Sequence, residues 1–220
     1  MAAVRLHRVQ AEYAESIRIQ WYSFLLWRED AHPGWNGYVA AHWEKAQAAE
    51  DSITLTPWSG AVYPSATQPA HIAGKAAARQ GLFDAFHLEA MRAFFSLNQN
   101  IEDPAVLCRV AKTVGCNIAD FEADIADPGL KELVWREFMT GVERERVTAI
   151  PTMFVGKQVI EGALTLDRYR QVFDTALKEN GNYSALQEAI CGRNPSIRTI
   201  CCGQIADLLS NKDSLQAVRA

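Results

Sequence analysis

The chain has 220 residues, 49% hydrophobic, 22% charged and 10% aromatic, enough to bury one sizeable core with a smaller subdomain and too apolar for a disordered or collagen-like chain. Its 22 Lys and Arg stand against 26 Asp and Glu, a net charge of -4 with no long single-sign run, which argues against a phosphate-neutralising nucleic-acid surface. No apolar stretch approaches the roughly 20 residues of a membrane span, and an odd set of five cysteines excludes a disulfide-stapled secreted scaffold in favour of a reducing, cytoplasmic setting.

Residues 4 to 14 carry Val4, Leu6, Val9 and Tyr13 at helical spacing, with Arg5, Arg8 and Glu12 between them; this is an amphipathic helix and not a signal peptide. Ile17-Arg18-Ile19-Gln20-Trp21 then alternates with the period of a strand. From Leu25 to Tyr63 the pattern breaks into Trp-, Pro- and Gly-rich segments, with turn chemistry over 32–38 and a short extended piece over 53–58. An all-helical block is expected over 69–146. Its helices are an Ala-rich one stopped by Gly81, one from Phe83 to about Ser96, one opened by Asp103-Pro104 and ended by Gly115, and two more over 117–126 and 128–146.

The period changes again at Thr148. TAIPTMFV is β-rich, Gly156-Lys157 is a turn and QVIEGA is its partner strand, which makes a hairpin. Thr165 caps a helix expected to end at Gly181, and residues 182–220 read as a tail of short helices. Pro151 at the hairpin entry is the sharpest local signal. Proline cannot donate to a sheet ladder, so it suits a strand's first residue, and a cis bond there would leave the N–H and C=O of Ile150 for an extended substrate.

The order helix, strand, helical block, proline-initiated hairpin and helix resembles the DsbA-like branch of the thioredoxin superfamily, near FrnE-type dithiol-disulfide isomerases, 2-hydroxychromene-2-carboxylate isomerases and kappa-class glutathione transferases. The resemblance is carried by IRIQWYSFLL (17–26), by residues 70–115 and above all by VTAIPTMFVGKQVIEGALTLDRYRQVF (147–173). It implies an α/β fold: a thioredoxin-like sheet formed by 1–68 and 147–181, a helical insertion over 69–146 and a helical carboxy-terminal extension over 182–220. It also implies thiol-disulfide oxidoreductase or isomerase activity on a dithiol or disulfide substrate, protein or small molecule, with Ile150 and Pro151 contacting that substrate. A glutathione-dependent isomerase or transferase, with glutathione as its cofactor, and a non-catalytic binding module are the alternatives; a homodimer stays open.

The departure from the family is equally informative. Its Cys-x-x-Cys lies between a first strand and the helix corresponding to residues 3–14, where the helix amino terminus stabilises a thiolate. Neither that strand nor the motif occurs in these 220 residues, and alignment on Leu6 and Tyr13 puts the second motif cysteine about two residues before Met1. The catalytic pair is therefore expected upstream, these 220 residues are expected to be nearly inactive, and the sheet is expected to lack an interior strand. A late start and a natural loss of redox chemistry both explain this; retention of 147–162 favours the first.

Within the chain the weak catalytic candidates are Cys201, Cys202 and Cys191, since a tail dithiol could relay electrons, whereas Cys108 and Cys116 read as small core hydrophobes. Trp21, Phe24, Trp27, Trp35, Trp43 and Trp58 could line an apolar groove, with His32, His42 or His71 adding polar contacts. No metal-ligand spacing is present, so no metal is expected.

Overall fold

A computed structural model describes residues 2–26, 34–49, 53–188 and 198–201, the last four by their backbone. Helix α1 (Ala2–Tyr13) buries Ala3, Leu6 and Val9, and a 3-10 turn (Ala14–Ser16) leads into strand β1 (Arg18–Trp21). After the helical block come β2 (Thr152–Val155) and β3 (Gln158–Glu161), paired antiparallel across the tight turn that Gly156 makes with φ +58°. Helix α8 (Leu166–Glu188) follows, with Arg168 N–H donating to the Thr165 hydroxyl.

One face of the sheet is closed by α1 and α8. Leu6 and Val9 meet Ile17, Ile19, Met153 and Val155, and Tyr169, Val172 and Phe173 complete the cluster. The period of 2 in β1 and of 3.6 in the helices brings these residues to a common face, which is why the alternation was readable in the sequence. Tyr13 fastens the two helices by donating to Asp174 Oδ1 at 2.6 Å, and Arg170 pairs with Glu12 at 2.7 Å.

The insertion is a bundle of α3 (Gln68–Arg79), α4 (Phe83–Phe95), α5 (Pro104–Thr113), α6 (Ile118–Ile125) and α7 (Pro128–Glu143). Helix α3 can lie at its centre because its buried stripe is Ala73, Gly74, Ala76 and Ala77; a Cβ on Gly74 would stand only 3.2 Å from the Phe83 ring. Phe86, Leu107, Val110, Phe121 and Leu130 fill the space around it. Asp103 caps α5 ahead of Pro104, and Asn117 and Asp127 cap α6 and α7. A smaller cluster of Leu25, Val134 and Phe138 joins the insertion to the segment leaving β1.

Three expectations need correction. The irregular stretch between Leu25 and Tyr63 contains a helix, α2 (Gly37–Ala48), whose start is capped by Asn36 accepting from the N–H groups of Tyr38 and Val39; Asn-Gly reads as a turn, but here the pair opens a helix. Helix α8 does not stop at Gly181 and runs to Glu188. The tail is not wholly helical: residues Arg198–Cys201 form strand β4.

That last strand changes the sheet. The order is β1-β4-β2-β3, with β4 parallel to β1 and antiparallel to β2. The interior strand expected to be missing is thus supplied from the far end of the described chain, and it satisfies backbone groups of β1 and β2 that would otherwise lack a ladder. Cys201 is in register with Trp21 on one side and Met153 on the other.

Candidate functional site

The proline loop, the end of β1 and the first half of α1 converge at one end of the sheet. The Ile150–Pro151 peptide is cis. Its conformation is held from both sides: Gly162 N–H donates to Pro151 C=O at 2.7 Å, and the Thr152 hydroxyl donates to Ala149 C=O at 2.6 Å. Ile150 and Pro151 are both half-buried, and among the described residues none hydrogen-bonds the N–H or C=O of Ile150. A backbone donor and acceptor held in place without partners can serve an extended chain laid beside them.

β2 runs antiparallel to β4 and β4 runs parallel to β1, so Pro151, two residues before Met153, lies at the end of the sheet where β1 finishes at Trp21. Trp21 stacks on His7 of α1 with ring centroids 5.6 Å apart, and meets His87 of α4 edge-on at 4.6 Å. Phe83 closes the group against His87 at 5.3 Å. Among the described residues, three ring nitrogens here are buried without a hydrogen-bond partner: His7 Nε2, Trp21 Nε1 and His87 Nδ1. Asp84 Oδ1 stands 3.9 Å from His7 Nε2, too far for a hydrogen bond. Burial pushes the His87 imidazole down to about 3 and lowers that of His7, against which Asp84 pulls upward. Both rings are therefore neutral near pH 7.

Below them the insertion is clasped to the sheet by a buried ion pair. Lys75 Nζ of α3 lies 2.7 Å from Glu137 Oε1 of α7 and also donates to Trp21 C=O, while Glu137 Oε2 accepts from Ser23 N–H at 2.7 Å. His71, one turn before Lys75, is held down to about 4 by burial first and by the Lys75 charge second. The charges thus pin the chain leaving β1 to two helices of the insertion.

The remaining candidates are dispersed. Cys116 is buried and Cys108 half-buried, with Cys108 Sγ 3.9 Å from Glu122; burial raises both thiols, and the Glu122 carboxylate acts in the same direction on Cys108, which makes them poor nucleophiles. Cys201 ends β4, and Cys191 and Cys202 lie outside the described residues. The aromatic residues do not form one groove. Trp21 and Phe24 belong to the sheet and α7, whereas Trp35, Trp43, Trp58, Tyr63, Phe94 and Phe95 make a separate cluster joining α2 to α4. A cavity of about 330 Å³ beside it is lined by Trp35, Trp43, Leu55 and Pro57. Trp27 and His32 lie outside the described residues. His42 is exposed on α2 with Nδ1 2.8 Å from Tyr38 C=O. Among the described residues no group of His, Cys, Asp or Glu is arranged to hold a metal, and no helix is long and apolar enough to cross a membrane.

Sequence reasoning missed His7, His87, Lys75 and Glu137. Each sits at an ordinary helical position, and nothing local marks it; only an unusually polar side chain on an otherwise apolar stripe, such as Lys75 between Gly74 and Ala76, hints at a buried partner.

The sequence pattern of the DSBA-like thioredoxin domain matches residues 1–174. The chain belongs to the DsbA-like thioredoxin family. Among curated proteins it is similar to the uncharacterized protein YwbO of Bacillus subtilis, 29% identical over 94 residues; the match covers 43% of this chain and 45% of YwbO, so the chain spans about half the length of that relative. The fold is shared with a crystal structure from Nitrosomonas europaea described as a "putative protein disulfide isomerase", at TM-score 0.67 and 17% identity over 80% of this chain and 90% of that one. It is also shared with a 2-hydroxychromene-2-carboxylate isomerase structure, at TM-score 0.55 and 17% identity over 87% of this chain and 92% of that one. A thioredoxin-like sheet with a helical insertion is therefore the architecture of this DsbA-like chain.

Proposed function

We propose that this DsbA-like chain is a thiol-disulfide oxidoreductase or isomerase of the cytoplasm, with Ile150 and Pro151 as the platform for the backbone of a disulfide substrate. The observation that carries the reading is the proline loop: a half-buried dipeptide with an unpartnered N–H and C=O, at the end of the sheet where β1 finishes, in a chain matched by the family over residues 1–174. An extended substrate strand laid there gains main-chain hydrogen bonds without displacing any existing ones. The family's dithiol belongs at the amino end of α1, where the helix dipole favours a thiolate.

Insulin reduction tests this. A chain extended upstream by the first strand and Cys-x-x-Cys is expected to precipitate insulin B chain in the presence of a thiol reductant, and the 220-residue chain is expected to do so at close to the uncatalysed rate. An extended chain without activity would remove the reading. A serine in place of the first motif cysteine, with glutathione-dependent turnover, would instead establish the glutathione-using alternative.

A further inference from the structure

We infer that strand β3 is a self-association edge: two copies of this chain pair their β3 strands antiparallel about a two-fold axis at Val159, joining two four-stranded sheets into one continuous sheet. The inference goes beyond the proposed function and does not rest on it.

The first observation is which backbone groups β3 leaves over. β2 and β3 pair Thr152 with Glu161, Met153 with Ile160, Phe154 with Val159 and Val155 with Gln158. Hydrogen-bonded and non-hydrogen-bonded pairs alternate along an antiparallel ladder, and the bond from Gly162 N–H to Pro151 C=O fixes the phase. Gln158 and Ile160 therefore bond inward to β2, whereas the N–H and C=O of Val159 and Glu161 point away from it. The order β1-β4-β2-β3 puts no strand on that side, and among the described residues none hydrogen-bonds these four groups. The opposite outer strand is less accessible at its end, because Trp21 C=O accepts from Lys75 and Ser23 N–H donates to Glu137.

The second observation is the side chains along that edge. Val159 is 60% exposed, an apolar β-branched residue on an outer strand, where pairing with another chain is ordinarily discouraged. Lys157 and Glu161, two residues to either side of it, are exposed and of opposite sign. When a second β3 is laid antiparallel with Val159 facing Val159, Lys157 of each copy comes alongside Glu161 of the other. Opposite charges then flank the apolar pair at both ends, and Gln158 lies opposite Ile160. Moving the axis to Ile160 sets Glu161 against Val159 and loses both charge pairs, so the charges select the axis at Val159. The contact described for the Glu161 carboxylate is the Thr148 hydroxyl, 3.4 Å away, which leaves it acceptor capacity for a lysine. A two-fold interface requires a patch that complements itself, and Lys157–Glu161 does so in backbone, charge and apolar contact. Pairing over this length is a small interface, below the roughly 1,200 Å² of stable complexes, so a dissociation constant on the order of 100 micromolar is expected.

The test is sedimentation velocity of the reduced 220-residue chain from about 10 to about 500 micromolar, a range that brackets this affinity. The unaltered chain is expected to shift from monomer toward dimer. Lys157→Glu or Glu161→Lys alone sets like charges together at both ends and should weaken the dimer about tenfold, while the double variant Lys157→Glu, Glu161→Lys should restore it. The two single variants, mixed, should form a heterodimer of about the original affinity, since each supplies the charges that the other lacks. Both positions are exposed, so unchanged urea midpoints should show that each variant folds. Facing residues of a hydrogen-bonded pair stand about 5.5 Å apart between Cα atoms, within disulfide reach. Mild oxidation of Val159→Cys should therefore give a 159–159 crosslink by peptide mass spectrometry, and Gln158→Cys should give no 158–158 crosslink. A chain that stays monomeric over the whole range, single variants that associate as the unaltered chain does, single variants that fail to associate when mixed, or a 158–158 crosslink in place of 159–159 would each overturn the proposal. A monomer whose β3 amides gain exchange protection from an added extended peptide would overturn it too, and would give the edge to a peptide instead.

Discussion

Acidification below pH 7 should destabilise this protein because of His71 and His87. Burial holds them at about 4 and about 3 in the folded state, whereas an unfolded histidine titrates near 6.5. A group whose folded pKa is depressed in this way contributes stability that is fully present above the unfolded value and is lost as pH falls toward the folded one. The unfolded chain binds protons between pH 7 and pH 5 and the folded chain does not, so stability falls with pH across that window. At 1.36 kcal/mol per unit, each histidine loses about 2 kcal/mol from pH 7 to pH 5, and the two together about 4 kcal/mol, an order-of-magnitude sum. Urea titrations followed by tryptophan fluorescence at pH 7, 6 and 5 would measure it. A His71→Gln, His87→Phe double variant should lose most of that slope, with His7, also lowered by burial, left to contribute the rest. Equal midpoints at pH 7 and pH 5 in the unaltered protein, or an equal slope in the double variant, would refute the assignment of these imidazoles as buried and neutral.

Glu137→Ala should cost about 3 to 5 kcal/mol, because Lys75 is left buried beside Trp21 C=O without its counter-ion; adding Lys75→Met should recover much of the loss in chemical denaturation. Asn36→Ala removes an acceptor shared by two N–H groups at the start of α2 and should cost about 1 kcal/mol, with faster amide exchange at Tyr38 and Val39. Phe121→Ala, at a fully buried position of the insertion core, should cost about 3 to 5 kcal/mol, read as a lowered urea midpoint. Cys116 should resist iodoacetamide in the folded protein and react on unfolding, since its thiol is buried and raised.

What the sequence by itself determined is whatever is local or periodic. The apolar stripes of α3 to α7, the Asp103-Pro104 start of α5, the stop at Gly81 with φ +74° and the alternation of β1 all express rules that act within a few residues. The same holds for the hairpin around Gly156 and for the placement of Ile150 and Pro151 at its entry. Where a local signal was ambiguous the tertiary structure decided. Asn36-Gly37 opens α2 because the helix buries Trp43 against Phe94 and Phe95, and α8 passes through Gly181 although a helical glycine costs about 1 kcal/mol relative to alanine. The candidate site lay further out of reach. His7 and His87 are 80 positions apart in the sequence and meet, edge to face and around Trp21, only once α1 and α4 have packed; Lys75 and Glu137 are joined only by the packing of α3 on α7. Arg198–Cys201 is too short to declare a partner. Its place between β1 and β2 follows from unpaired backbone on both neighbours, a demand that exists only once the sheet has been assembled.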